Sequence, residues 1–344
     1  MSTMKRVEIK GLGVVASGTG SVPEPESGWA RVKIELAGIC GSDTHAVAGH
    51  HPLLIPPYLP GHEMIGWVDA LGDDVTGVEV GQRVLVQPNV GCGECVNCRA
   101  GRVNACQTLQ WIGCDSSGKL PGGMAEYVAA PARMLFPISD EIAADDAVLI
   151  ECLSTPVHAA RIAGDLTGAK VVVVGAGTIG LLSVLAAKHA GAGTIVVLDL
   201  EESKRERALR YGADYAVDAA GDSVAAVAEL LDGPADVVFD CVTIEATLRQ
   251  SLQMLRRAGT LLVVGVPPRD ASLPLPYIQD WELRVQGCAN YTVEDILTAI
   301  EIANQGGLPG SEIVTAHYAI DDATEAFEVA AKGTSGKVVI DPQL

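Results

Sequence analysis

Two hydrophobic rhythms divide the chain. Up to about residue 150, apolar and polar positions tend to alternate in short runs, as in Ala30-Arg31-Val32-Lys33-Ile34-Glu35-Leu36 and Gln82-Arg83-Val84-Leu85-Val86. A period of two describes strands with one buried face, and the Gly, Pro and Asp residues between the runs supply turns. The prolines between His45 and Gly61, and a loop rich in cysteine, interrupt the pattern. From about residue 154 the rhythm changes. Val171-Val172-Val173-Val174 is an unbroken β-branched run, as in a parallel strand covered on both faces. A helical pattern follows over 179–190, then strands at Thr194 to Asp199, Asp236 to Asp240 and Thr260 to Gly265, with helical stretches between them. Strand alternating with helix predicts a doubly wound parallel sheet. Helices are expected again at 293–304 and 322–332, and a last strand at Lys337 to Ile340. That tail is too short for a domain and is expected to pack back on the first one. The fold class is therefore α/β, with a barrel-like N-terminal domain (1–153), a dinucleotide-type domain (154–290) and a C-terminal return (291–344).

Composition adds exclusions. A chain of 344 residues has room for about two domains, and with 48% hydrophobic residues it can fill two cores. A formal net charge of −19 argues against nucleic acid and against anionic membrane surfaces as partners. No window is apolar for the roughly 18 residues of a membrane span. The segment Met1 to Val7 has basic residues but no apolar stretch after them, so no secretory signal is expected. With nine cysteines and no export signal, thiols and metal binding are expected over disulfides, in the cytoplasm.

Four of those cysteines, Cys92, Cys95, Cys98 and Cys106, follow C-x2-C-x2-C-x7-C. Such spacing lets one loop surround a tetrahedral zinc, and four thiolates leave no open position, so this site is read as structural. Gly175-Ala176-Gly177-Thr178-Ile179-Gly180 directly follows the valine strand and opens a helix, which is the context that gives G-x-G-x-x-G its meaning. Gly175 permits the turn, Gly177 lets backbone approach a pyrophosphate, and Gly180 lets the helix lie close to the strand. Asp199 ends the next strand, about 20 residues on, where a carboxylate accepts ribose hydroxyls and repels a 2′-phosphate. NAD is therefore expected over NADP, although Lys204 and Arg205 stand close by.

Three further segments carry candidate chemistry: Cys40-Gly41-Ser42-Asp43-Thr44-His45, Gly61-His62-Glu63, and Ile150-Glu151-Cys152-Leu153-Ser154-Thr155. Cys40 and His62 are suitable zinc ligands, and a carboxylate in the apolar run around Glu151 is costly unless paired or bound to metal. With these motifs in this order over nearly the whole length, the chain resembles the zinc-dependent medium-chain alcohol dehydrogenases, most of all the sorbitol, polyol and threonine dehydrogenase branch.

The resemblance implies a GroES-like catalytic domain ahead of a Rossmann domain, and a tetramer or dimer. It implies one catalytic and one structural zinc per chain, with Cys40 and His62 holding the catalytic ion and Glu63 or Glu151 completing its ligands. It implies that Ser42 takes the alcohol proton and His45 passes it to solvent. Thr178 and Ile179 would line the cofactor site with the three glycines, and Thr155 would pack on the nicotinamide. The implied reaction is oxidation of a small secondary alcohol (a polyol, cyclitol or similar) to a ketone by hydride transfer to NAD. A threonine-type or simple alcohol or aldehyde dehydrogenase on the same scaffold is the alternative, and a non-catalytic zinc- and NAD-binding protein is a more distant one. Two departures stand out: Asn290, where the polyol branch often has arginine, and Cys152, where it usually has proline.

Overall fold

The computed structural model describes residues 2–267, 269–333 and 336–344. The chain forms two compact units, one comprising the residues up to Glu151 with Ile300–Leu344, the other Cys152–Ala299.

The first unit is built on a seven-stranded sheet. Its path runs Val314–Tyr318, Lys337–Ile340, Trp29–Gly38, Glu63–Leu71, Arg83–Val86, Leu135–Pro137, and Tyr127–Pro131 pairs off this path with Trp29–Gly38. The pairings are antiparallel except between Val314–Tyr318 and Lys337–Ile340. Inward positions of the alternating runs (Ala30, Val32, Ile34) join Val84, Val86, Val338 and Ile340 in one core. Register joins distant segments at one end of this sheet. Gly38 sits opposite Glu63 on one side and Val339 on the other, so the end of the strand Trp29–Gly38 brings the Glu63 strand and the C-terminal return together. A two-stranded sheet of Asn89–Val90 and Gln110–Trp111 brackets the cysteine loop.

The second unit is a six-stranded parallel sheet in the order Tyr215–Asp218, Thr194–Asp199, Lys170–Val174, Ala235–Asp240, Leu255–Val263, Arg284–Gly287. The order reverses beside Lys170–Val174, whose valines are buried, and the glycine turn lies at the carboxyl end of that strand. Doubly wound sheets bind ligands at such a crossing point. Together the two units are the α/β architecture expected, a GroES-like domain and a Rossmann domain. No helix among the described residues is long and apolar enough to cross a membrane.

Candidate metal centres and cofactor site

Cys40 leaves the strand Trp29–Gly38 and caps the helix Gly41–Val47 in an extended conformation. Asp43, wholly buried, accepts from the Cys40 amide at 3.3 Å and from the Tyr58 hydroxyl at 3.0 Å, which fixes the turn that aims Cys40. His62 enters the neighbouring strand Glu63–Leu71 and is buried. The donor atoms of Cys40, His62 and Glu63 lie within 4.8 Å of one another. Glu151, buried in the first turn of the helix Leu149–Ala163, lies within the same distance of Glu63. Among the described residues, no such group contains Cys40, His62 and Glu151 together; Glu63 is common to both. The Glu63 carboxylate is itself engaged, by Lys337 Nζ at 2.6 and 2.7 Å.

Electrostatics around His62 are strong. Burial alone would push its imidazole down, but the acidic neighbours Cys114, Asp43 and Cys40 outweigh that and raise it well above its usual range. Burial also raises the Asp43 carboxyl, against the pull of His62 and the Tyr58 hydroxyl. One thiol, one imidazole and a carboxylate in a water-poor corner suit a borderline-soft divalent cation such as zinc.

Ser42 is half-buried on the helix Gly41–Val47, and His45 is exposed three positions on. Residues three apart share a helix face. His51 instead organises its loop, with Nδ1 accepting from the amides of Leu53 (3.2 Å) and Leu54 (2.8 Å).

The sulfurs of Cys92, Cys95, Cys98 and Cys106 converge. Cys106 Sγ lies 3.6 Å from Cys92 Sγ and 3.9 Å from Cys95 Sγ. A tetrahedron with Zn–S bonds of about 2.3 Å has edges of about 3.8 Å, so the spacing fits a four-thiolate ion. Backbone amides face the sulfurs as well: Cys106 Sγ accepts from Cys92 and Thr108, which hold that thiol down at about 6.

In the second unit, Gly175 takes φ +92 at the end of the valine strand, and Gly177 caps the helix Thr178–His189 with open space where a side chain would be. A Cβ on Gly180 would collide with the Gly175 carbonyl, so Gly175 is required by its backbone conformation and Gly180 by close packing, while the space beside Gly177 is open. The first amides of the helix, including those of Thr178 and Ile179, have no partner within it and present donors to an anion. Asp199 Oδ2 accepts from the Ala176 amide at 2.7 Å and Oδ1 from the Glu201 amide at 2.9 Å, so the carboxylate is fixed against the glycine turn. Lys204 pairs with Glu201 at 2.8 Å, and Arg205 donates to the carbonyls of Asp199 and Leu200. Thr155 is half-buried, and its carbonyl accepts from Cys288 Sγ at 3.7 Å. Asn290 adopts φ +54, a left-handed conformation that asparagine tolerates better than most residues, which gives this departure a backbone reason.

Known proteins share this fold. The profile of the alcohol dehydrogenase GroES-like domain matches residues 26–140, and that of the zinc-binding dehydrogenases matches residues 178–305. The chain belongs to the zinc-dependent medium-chain dehydrogenases of the alcohol dehydrogenase superfamily. It is 34% identical to an L-threonine 3-dehydrogenase of Alteromonas mediterranea, over 93% of this chain and 95% of the relative. A zinc-binding dehydrogenase from Sinorhizobium meliloti, solved bound to NADP, superposes with a TM-score of 0.92 at 32% identity, covering 99% of this chain and all of the other. The 2R,3R-butanediol dehydrogenase from Bacillus subtilis superposes with a TM-score of 0.89 at 28% identity, covering 98% and 99%.

Sequence reasoning singled out the donors but not Asp43, Trp111, Cys114 or Lys337, which surround them. Asp43 was within reach, since its place three residues after a capping Cys40 is that of a capping-box acid. The others come from distant segments and leave no local signal.

Proposed function

We propose that this protein oxidises a small secondary alcohol to a ketone, transferring hydride to NAD, with one catalytic and one structural zinc per chain. Residues 1–153 and 291–344 would form the catalytic part and 154–290 the NAD-binding part. The observation that carries the reading is the convergence of the half-buried Cys40 thiol with the buried His62 imidazole and Glu63 carboxylate. Lys337 compensates the charge of Glu63, which favours Glu151 as the carboxylate that neutralises the cation alongside Cys40. Glu63 then remains close enough to exchange with it.

When bound, zinc would supply a Lewis acid that lowers the pKa of an alcohol, and NAD a hydride acceptor. Cys40, His62 and a glutamate hold the ion. The Ser42 hydroxyl takes the proton of the substrate hydroxyl and hands it to His45, which is exposed and releases it to water. In the other unit the three glycines and the helix amides receive the pyrophosphate, Asp199 the adenosine ribose, and Thr155 the nicotinamide. Lys204 and Arg205 have partners of their own, which supports NAD over NADP.

A second reading, oxidation of L-threonine itself, is favoured by the name of the relative with 34% identity. The test is NADH and NADPH formation across polyols, cyclitols, diols, amino alcohols, L-threonine and simple secondary alcohols, combined with metal analysis. Two zincs per chain, one of them lost with Cys40→Ser, supports the proposal. A single zinc that survives that substitution overturns it.

A further inference from the structure

We infer that Cys114 is a positioning residue for His62, its sulfur being the partner that fixes which ring nitrogen faces the metal; this rests on the reading of His62 as a ligand. Cys114 Sγ lies 3.3 Å from His62 Nδ1. The nearest carboxylate oxygen, Asp43 Oδ2, is 3.8 Å from the same nitrogen, and Asp43 is already committed to Tyr58 and the Cys40 amide. Histidines that bind a metal through one nitrogen usually donate the other N–H to a carboxylate, a carbonyl or water. Here sulfur takes that place. With Nδ1 facing Cys114, Nε2 is left for the cation, Nδ1 keeps its proton, and the N–H donates to Sγ. Sulfur is a weak hydrogen-bond acceptor, so the contact serves to orient the ring.

The backbone around Cys114 is shaped for this contact. Gly113 adopts φ +83, and a Cβ there would fall 2.7 Å from the Gly61 carbonyl carbon and 3.0 Å from the His62 amide nitrogen. Only a glycine lets the segment press so closely on the His62 backbone. The preceding strand pairs Trp111 with Asn89, and the Trp111 ring meets the imidazole edge-on, with centroids 5.8 Å apart and planes at 78°. Ring edge and thiol together leave His62 one orientation.

Replacing such a partner typically costs 10- to 100-fold in metal affinity or activity. Cys114→Val is expected to weaken zinc binding at the His62 site by about 10-fold or more in chelator competition. Cys114→Ser, whose hydroxyl can still accept, should stay within about threefold of wild type. Both variants should keep full zinc occupancy at the four-cysteine loop, which reports that the surrounding domain is folded. Zinc held as tightly by Cys114→Val as by wild type overturns the inference, as does an equal loss in the Val and Ser variants. His62→Ala separates the two levels: if it fails to release a zinc, the ligand reading itself falls; if it releases one while Cys114→Val does not, only the role of Cys114 falls.

Discussion

Lys337 Nζ stands 2.6 and 2.7 Å from the two carboxylate oxygens of Glu63, and both side chains are buried. The last strand of the chain thus places a fixed positive charge beside a candidate ligand of the metal. Lys337 also donates to the Ile39 carbonyl at 3.2 Å, which ties it to the turn that presents Cys40. Gly38 makes room for the pair, since a Cβ there would overlap Glu63 Oε2.

Breaking a buried pair by removing one partner costs about 3–5 kcal/mol, because the other charge is left uncompensated. Lys337→Met is therefore expected to lower stability by about that much in urea unfolding. Adding Glu63→Gln to it should recover much of the loss. If the double variant is as unstable as the sum of the single ones, the pair does not act as a unit.

A second buried network lies in the other unit. Asp295 accepts from Thr292, from Arg161 at 2.7 and 3.0 Å, and is joined to His158 at 2.8 Å. Burial would raise this carboxyl, but the bonds from His158, Arg161 and Thr292 outweigh it and hold it well below the usual carboxylate range. A carboxyl whose folded pKa lies below its unfolded one contributes stability that is fully present above the unfolded pKa of about 4 and lost as pH falls through the folded value. Asp295→Asn should thus cost about 3 kcal/mol at pH 7, and the gap from wild type should shrink progressively below about pH 4. Unfolding curves at pH 7 and pH 3 check this. A gap that is the same at both would mean that packing, not charge, accounts for the loss.

How much of this was legible depends on sequence distance. The glycine turn could be read because strand, turn and helix are contiguous, and the final strand because Val338, Val339 and Ile340 form an apolar run. The strand expected from Thr260 instead begins at Leu255, passing through Ala258 in a positive-φ conformation that no residue pattern marks. The helix Gly41–Val47 was hidden by its shortness. Lys337 meets Glu63 across most of the chain, and Cys114 meets His62 only because Gly113 packs on the Gly61–His62 backbone. Such meetings are products of sheet register and loop packing, which a single sequence does not encode locally.

On the proposed reading, cofactor choice turns on Asp199. Its carboxylate is held by the amides of Ala176 and Glu201, so it is oriented before any ribose arrives. A hydrogen bond to a charged group is worth about 1.5–3 kcal/mol, or roughly 10- to 150-fold. Asp199→Ala should raise the KM for NAD by a factor in that range and erode the preference over NADP, because the repulsion of a 2′-phosphate is lost too. Steady-state kinetics with both cofactors measure it. A wild-type enzyme that already prefers NADP would show that Lys204 or Arg205 leaves its present partner to bind phosphate.

The proposed proton route gives the sharpest kinetic expectation. Ser42 and His45 share one face of a short helix whose start is fixed by Asp43, and His45 is exposed to solvent. Water can replace an exposed relay group in part, so His45→Ala should slow alcohol oxidation by on the order of 10-fold, less than the 10²–10⁴ of an obligate general base. Without the imidazole the proton must leave to hydroxide or buffer. Hydroxide grows scarce as pH falls, so the deficit should widen toward the acidic side of the profile and narrow toward the alkaline side. Zinc content should be unchanged, and added imidazole should restore part of the rate. A pH–rate profile that keeps its wild-type shape, with no response to imidazole, would remove His45 from the route and leave Ser42 to deliver its proton to water directly.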